Sequence, residues 1–245
     1  MNPQDKAGME HWDDTWAAPP RMRLPRASTS SIRDKMSLLR GVVRPGMKFL
    51  EIGCAPGKML SWTAAVLGAG VSGLDYSEPG VLLARRLFRE LGLSADIRNE
   101  DVFSTTFAEG SFDVVYSAGV IEHFEDPSRI VRIHTELLKP GGLAVITVPN
   151  LAGFYGRLAS QETLAIHNLD IMTPQALRWL APSDLSESVE SFHHGRFTLA
   201  MGVIDGRWGR LAPVLRTGSD LLGLAQPFRI EALCPTLVLK IRRKP

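Results

Sequence analysis

A chain of 245 residues, 44% hydrophobic and 22% charged, suits one α/β domain with embellishments and has a globular balance that excludes wholesale disorder. The formal net charge of +2 excludes the broad basic face that nucleic acid binding calls for, and two cysteines far apart in the chain make neither a disulfide framework nor a zinc site. No apolar run reaches the roughly 18 residues of a spanning helix, and the opening Met1-Asn2-Pro3-Gln4-Asp5 is too polar for a secretory signal. A cytoplasmic protein without nucleic acid partners is therefore expected, with peripheral membrane contact left open by the apolar late segments.

In chain order, residues 1 to 31 read as an extended polar arm with Pro19, Pro20 and Pro25; it carries Trp12 and Trp16, which suggests that it packs on something. Arg21, Arg23 and Arg26, like Arg242, Arg243 and Lys244, read as solvated charge. Ile32 to Val43 has helical apolar spacing, stopped by Arg44-Pro45-Gly46. An alternation follows: strand Met47 to Ile52, helix Lys58 to Leu67, strand Gly70 to Leu74, helix Glu78 to Leu91, weak strand Ala95 to Arg98, strand Phe112 to Ser117, helix Pro127 to Leu138, and strand Leu143 to Val148. That rhythm predicts βαβ units and a doubly wound, mostly parallel sheet. After Pro149 it breaks into an insert, Asn150 to Ile171. Then come a short helix from Pro174 to Leu180 with Thr173 as cap, and two strands, Val189 to His193 and Leu233 to Ile241, around a less regular region at about 195 to 230. The chain thus divides into an arm, 1–31, and one domain, 32–245.

The segment Phe49-Leu50-Glu51-Ile52-Gly53-Cys54-Ala55-Pro56-Gly57 runs an apolar strand into a glycine turn and a helix. Gly53 permits a tight turn and close approach of a ligand, and Gly57 opens a helix with free N–H groups. A P-loop would need glycine where Ile52 stands and a hydroxyl where Met59 stands. A dinucleotide fingerprint would need glycine at Ala55 and Lys58. The remaining pattern, E-x-G-x-x-x-G, puts the acid Glu51 beside the turn. An acid there repels phosphates and suits a ligand bearing an ammonium and a sulfonium, which is S-adenosyl-L-methionine (SAM).

Further segments follow in order. Asp75 ends Val71-Ser72-Gly73-Leu74-Asp75, where a carboxylate can accept from both hydroxyls of a ribose. Asn99-Glu100-Asp101-Val102-Phe103 offers a second acid. Phe112 to His123 forms a fourth-strand motif, and Leu138 to Val148 a glycine turn into the fifth strand. Over residues 32 to 149 this order resembles the class I SAM-dependent methyltransferases. The resemblance implies a seven-stranded Rossmann-like sheet, SAM as cofactor, no metal, and a cofactor site formed by Glu51, Gly53, Cys54, Ala55, Gly57, Asp75, Tyr76, Asp101, Val102, Ser117 and Ala118. Read singly, Cys54 is a small buried residue and Asp113 orients a strand end.

For the methyl acceptor, the Ile121-Glu122-His123 segment and the long insert resemble the ubiquinone-biosynthesis O-methyltransferases and methyltransferases of surface-polysaccharide pathways. Val148-Pro149-Asn150-Leu151 lacks the Asn-Pro-Pro-Tyr type signature of amino methylation, which favours a small-molecule hydroxyl. His123 is then the candidate general base, and His167, with Asn168 and Asp170 beside it, the second candidate. His193 and His194 read as structural or rim. The arm and the insert, whose Phe154, Tyr155 and Arg157 suit a pocket or lid, are expected to close over one cleft from opposite sides. N- or C-methylation, or a catalytically silent SAM-binding partner protein, are the competing readings.

Overall fold

The buried runs of the first half alternate with amphipathic helices whose apolar stripes need a sheet to cover them. The computed structural model of the chain describes residues 5–17, 22–26, 30–199, 211–225 and 230–245. Its helices and strands are α1 (Gly8–Ala17), α2 (Ser30–Arg40), β1 (Lys48–Ile52), α3 (Lys58–Leu67), β2 (Gly70–Asp75), α4 (Glu78–Glu90), β3 (Asp96–Asn99), β4 (Phe112–Ala118), α5 (Pro127–Glu136) and β5 (Leu138–Pro149). The second half adds α6 (Phe154–Leu158), α7 (Gln161–Ala165), α8 (Pro174–Trp179), β6 (Ser186–His194), α9 (Ala212–Ala225) and β7 (Thr236–Arg243).

The seven strands form one sheet in the order β3-β2-β1-β4-β5-β7-β6. β1 pairs in parallel with β2 and β4, and β3 and β5 extend the parallel run, while β7 is antiparallel to both its neighbours. The expected doubly wound, mostly parallel, seven-stranded sheet is thus the observed one. The chain reverses direction of travel across the sheet between β1 and β4, so the carboxyl ends of β1, β2 and β4 meet at the switch point where open α/β sheets bind ligands.

Alternate residues of each strand face opposite sides. Along β1, Phe49 joins an apolar layer with Met36, Leu39, Leu60, Val71 and Phe88, under α2, α3 and α4. Leu50 and Ile52 join the other layer with Val115, Ile130, Leu151 and Tyr155, under α5 and the insert. Cap chemistry fixes where the helices begin. The Ser77 hydroxyl accepts from Gly80 N–H at α4, Asp126 from Ser128 at α5, and Thr173 from Ala176 at α8, the cap expected there.

Three elements differ from the sequence reading. Part of the arm is helical rather than extended: Gly8–Ala17 forms α1, because Met9, Trp12 and Trp16 fall on one helical face that finds a partner in the rest of the fold. β5 starts at Leu138 rather than Leu143. Phe112 pairs with Leu138 and Val114 with Leu143, so the intervening Gly141-Gly142 turn is looped out of the ladder, with Gly141 at φ 74°. The insert folds into α6, α7 and a short turn at Leu169–Ile171, capped in turn by Ser160 and Asn168. The expectations for residues 1–4, 18–21, 27–29, 200–210 and 226–229 lie outside the described residues.

His134 on α5 is fully buried; its Nδ1–H donates to the Ile130 carbonyl at 2.6 Å and its Nε2 accepts from the Ser117 hydroxyl at 2.9 Å. Burial pushes its pKa down to about 4, so it is neutral in the fold. As pH falls below about 6.5 the unfolded chain takes up the proton first, and stability falls with it, by about 2 kcal/mol at pH 5. Urea unfolding at pH 7.5 and pH 5 should show His134→Gln losing less stability than the parent by about that amount, since the other buried titrating groups are common to both; an equal pH slope in both proteins would exclude His134 as a source.

Candidate active site

The turn after β1 is built from glycines for steric reasons. Gly53 has φ 70°, and a Cβ on it would stand 2.5 Å from the Val120 side chain. Gly57 has φ 84°, and a Cβ there would stand 2.9 Å from the Ala84 backbone. The Gly53 and Cys54 N–H groups donate to the Leu74 carbonyl at 2.9 and 3.1 Å, which holds the turn against the end of β2. Asp75 completes the hold: one carboxylate oxygen accepts from Ala55 N–H and the other from Ser77 N–H, each at 3.0 Å. Burial raises the Asp75 carboxyl above its ordinary value, and these two N–H groups pull against that rise.

The turn, Asp75 and the carboxyl ends of the strands enclose a cavity of about 830 Å³, the size of a small-molecule site. Of the expected site residues, Gly53, Ala55, Asp75, Tyr76, Asp101, Val102, Ala118 and His123 line it. The others do not. Cys54 is buried, its sulfur lying over Gly73, where a Cβ would come within 2.8 Å. Gly57 serves the start of α3. The Ser117 hydroxyl is spent on His134. Glu51 is buried beneath the turn with one carboxylate oxygen unpartnered, and burial, against the pull of Lys35, pushes it up to about 8. His167 stands behind His123 rather than on the cavity wall.

The arm supplies the roof. Asp5, Gly8, Met9, Trp12 and Trp16 all line the cavity. Tyr76 donates its hydroxyl to Asp5, Ser77 donates to Asp13 at 2.6 Å, and Lys6 N–H donates to the His123 carbonyl at 2.7 Å. Trp16 lies so close over Gly80 that a Cβ there would meet its ring at 2.8 Å. The far wall adds Glu100, Phe103, Phe124 and Arg129, which sequence reasoning missed. Arg129 stacks over Phe103 at 5.0 Å, a meeting of two elements that no local pattern announces. The spacing of Met9, Trp12 and Trp16 did carry a signal, since i, i+3, i+7 is one face of a helix.

The insert does not close the cleft from the opposite side: none of residues 150–171 lines the cavity. Tyr155 is buried, donating to the Leu233 carbonyl, and is no pocket residue. The insert instead braces the segment that holds His123. Asn168 N–H donates to the Glu122 carbonyl at 2.6 Å and its side-chain amide to Phe124 at 3.2 Å. The His123 Nδ1–H donates to the Ile166 carbonyl at 2.9 Å, and the His167 ring packs 4.6 Å from it, centroid to centroid. Burial, with His167 adding to it, pushes His123 down to about 4; burial pushes Glu122 up to about 8. Lys35 on α2 has its charge shared between Glu51 and Glu122, and burial lowers its pKa. His193 pairs loosely with Glu231 and His194 contacts the Asp34 carbonyl, so both are structural.

A methyltransferase-domain family model matches residues 50–146, the stretch that carries the turn, Asp75 and β4. The ubiquinone biosynthesis O-methyltransferase of Caulobacter sp. (strain K31) is 34% identical over 177 residues, 68% of each chain. The chain belongs to the class I SAM-dependent methyltransferases, and its cofactor is SAM. The protein of the same name from Ruegeria pomeroyi is 35% identical over 142 residues, 57% of this chain, and the match spans about half of that relative, 53%. Haemonchus contortus phosphoethanolamine N-methyltransferase 2, in complex with phosphomonomethylethanolamine and S-adenosylhomocysteine, superposes with a TM-score of 0.65 at 18% identity. That comparison covers 96% of this methyltransferase and 58% of the other chain, and at that identity it is a likeness of fold. Among the described residues no helix is long and apolar enough to cross a membrane.

Gly53→Val tests the turn. A β-branched residue is strained at positive φ and would press on Val120, so affinity for S-adenosylhomocysteine should fall by at least about tenfold while the thermal transition is kept. Unchanged affinity in a calorimetric titration would mean that the ligand lies away from Gly53.

Proposed function

We propose that this methyltransferase carries the methyl group of SAM to a hydroxyl oxygen of a small molecule, and that the chain divides into an arm, 1–31, whose described residues 5–17 roof the cavity, and one domain, 32–245. The observation that carries the reading is that Asp75 and His123 line one cavity, from the cofactor turn at one side to the Glu122-His123 segment at the other. The relatives named as ubiquinone biosynthesis O-methyltransferases support an oxygen acceptor.

The residues present suit the cofactor. Gly53 leaves free the space that a Cβ would fill, and Asp75 keeps acceptor capacity beyond its two N–H bonds, enough for both hydroxyls of a ribose. Asp101 accepts from Phe103 N–H at 2.9 Å through one oxygen, which leaves the other for an amino group of the base. Val102 and Phe103 supply apolar faces beside it. When bound, SAM supplies an electrophilic methyl carbon on a sulfonium.

This chain's own contribution is to hold the acceptor in line and to ease a proton from its oxygen. Positioning alone accounts for much of such catalysis. With the roof closed by Trp12 and Trp16 the site excludes water, which strengthens every polar interaction inside. The Nδ1–H of His123 is used on the Ile166 carbonyl, so the lone pair of this neutral ring lies on Nε2, at the acceptor end. The oxygen–carbon bond forms as the carbon–sulfur bond breaks, the hydroxyl proton leaves, and the products are the methyl ether and S-adenosylhomocysteine.

Two substitutions separate the ends of the site. Asp75→Ala should cost about 1.5–3 kcal/mol of S-adenosylhomocysteine affinity, the scale for a hydrogen bond to a charged group. His123→Ala should leave that affinity nearly intact and lower turnover by about 10²–10⁴-fold. Turnover is read by mass spectrometry on a panel of catechols, sugars and other hydroxylated small molecules. Methyl transfer confined to amines or carbon in a matched panel would refute the oxygen reading.

A further inference from the structure

The cavity wall carries four acids, Asp5, Asp75, Glu100 and Asp101, against one arginine among the described residues, Arg129, which stacks over Phe103 on the far wall. Glu100 turns to Thr105, Thr106 and Arg98. Among the described residues, none of Asp5, Asp75 and Asp101 is paired with a lysine or arginine. All three act on Tyr76: burial first, then the bond to Asp5 and the charges of Asp5, Asp75 and Asp101, hold its phenol well above the ordinary pKa. A cleft lined by charge of one sign between apolar walls draws a ligand of the other sign.

Asp75 suits a ribose and Asp101 a base amino group, both of them neutral partners. Asp5 has no such task. Its Oδ1 accepts from the Ala7 N–H at 2.9 Å and its Oδ2 from the Tyr76 hydroxyl, which leaves acceptor capacity on both oxygens. Its place is set from two sides. Tyr76 directly follows the ribose acid, while the Asp5 backbone pairs with Phe124 in an antiparallel bridge and the next N–H, of Lys6, donates to the His123 carbonyl at 2.7 Å. Asp5 therefore stands in the roof between the ribose acid and the acceptor end. In SAM the sulfonium is one carbon from the ribose, and its methyl must point toward the acceptor, so the positive charge belongs on that same path.

We propose that Asp5 is the arm's counter-charge to the cofactor's sulfonium, and that it makes the site prefer SAM over S-adenosylhomocysteine. The two ligands differ only in the methyl group and its charge. On transfer the carbon–sulfur bond breaks with its electron pair left on sulfur, and with a hydroxyl acceptor the positive charge leaves as the hydroxyl proton. Sulfur is then neutral, and its attraction to Asp5 ends. The roof thus holds SAM more firmly than the spent cofactor, which favours exchange of product for fresh SAM. This discrimination requires only SAM as cofactor and holds whichever atom takes the methyl.

The full chain is titrated by calorimetry with SAM, with S-adenosylhomocysteine and with sinefungin, an analogue that carries an amine-bearing carbon in place of the methylated sulfur. At low salt Asp5→Asn should weaken SAM and sinefungin by at least about fivefold, the low end for a charge pair in a partly screened site, and leave S-adenosylhomocysteine within about twofold. Asparagine keeps the shape and an acceptor for the Tyr76 hydroxyl, so the roof stays anchored. Raising KCl from about 50 to about 500 mM should narrow the parent's preference for SAM and leave that of Asp5→Asn unchanged. Asp13→Asn is the comparison. Asp13 accepts from Ser77 and does not line the cavity, so its loss should weaken all three ligands alike. Asp5→Asn weakening S-adenosylhomocysteine as much as SAM overturns the proposal and leaves Asp5 an anchor of the roof; SAM affinity unchanged in Asp5→Asn overturns it as well. An equal change of preference in Asp13→Asn would assign the discrimination to the overall charge of the roof and overturn the part given to Asp5.

Discussion

The carboxylate of Asp75 sits where β2 ends, with one oxygen on the Ala55 N–H and the other on the Ser77 N–H. One buried acid therefore ties together the glycine turn, the end of β2 and the start of α4. The turn has no regular structure of its own to satisfy its backbone, and its two positive-φ glycines leave it sterically free. Its shape comes from the Leu74 carbonyl and the Asp75 carboxylate. Ser77 passes the constraint on, since its hydroxyl both caps α4 and donates to Asp13 of the arm. Glycine turn, helix start and roof thus share one small set of hydrogen bonds, buried or partly buried.

The roof is held by the same region it covers. Tyr76 and Ser77 anchor Asp5 and Asp13, while Trp16 lies on Gly80, so α1 rests on residues immediately downstream of Asp75. These anchors are few and partly exposed, whereas the sheet beneath is buried on both faces. An element held by a handful of polar contacts over a rigid sheet is the part of a fold that opens most cheaply.

The insert plays another part. It does not line this cavity, and it fixes the turn from Val120 to Phe124 by hydrogen bonds from Asn168 and by one from His123 to the Ile166 carbonyl. Polar groups of that turn meet backbone groups of the insert, and the one acid that meets none is Glu122.

Residues in sequence determined the alternation of strands and helices, because period and cap chemistry are local. The strands Met47 to Ile52 and Gly70 to Leu74 and the cap at Thr173 announce themselves within a few positions. The same holds for one wall of the cavity: Gly53, Ala55, Asp75 and Asp101 follow strand ends, and a parallel sheet with right-handed crossovers brings strand ends to one edge without further information. What lies more than one element away was decided by tertiary structure. Ser117 spends its hydroxyl on a histidine of α5, and Glu51 lies buried beneath the turn, neither of which a local pattern shows. The arm's helix required a surface for Trp12 and Trp16, and the pairing of His167 with His123 required the insert to fold back. Local sequence sets dihedral preference and burial period; which side chains share a dry space is set by packing, and packing depends on the whole chain.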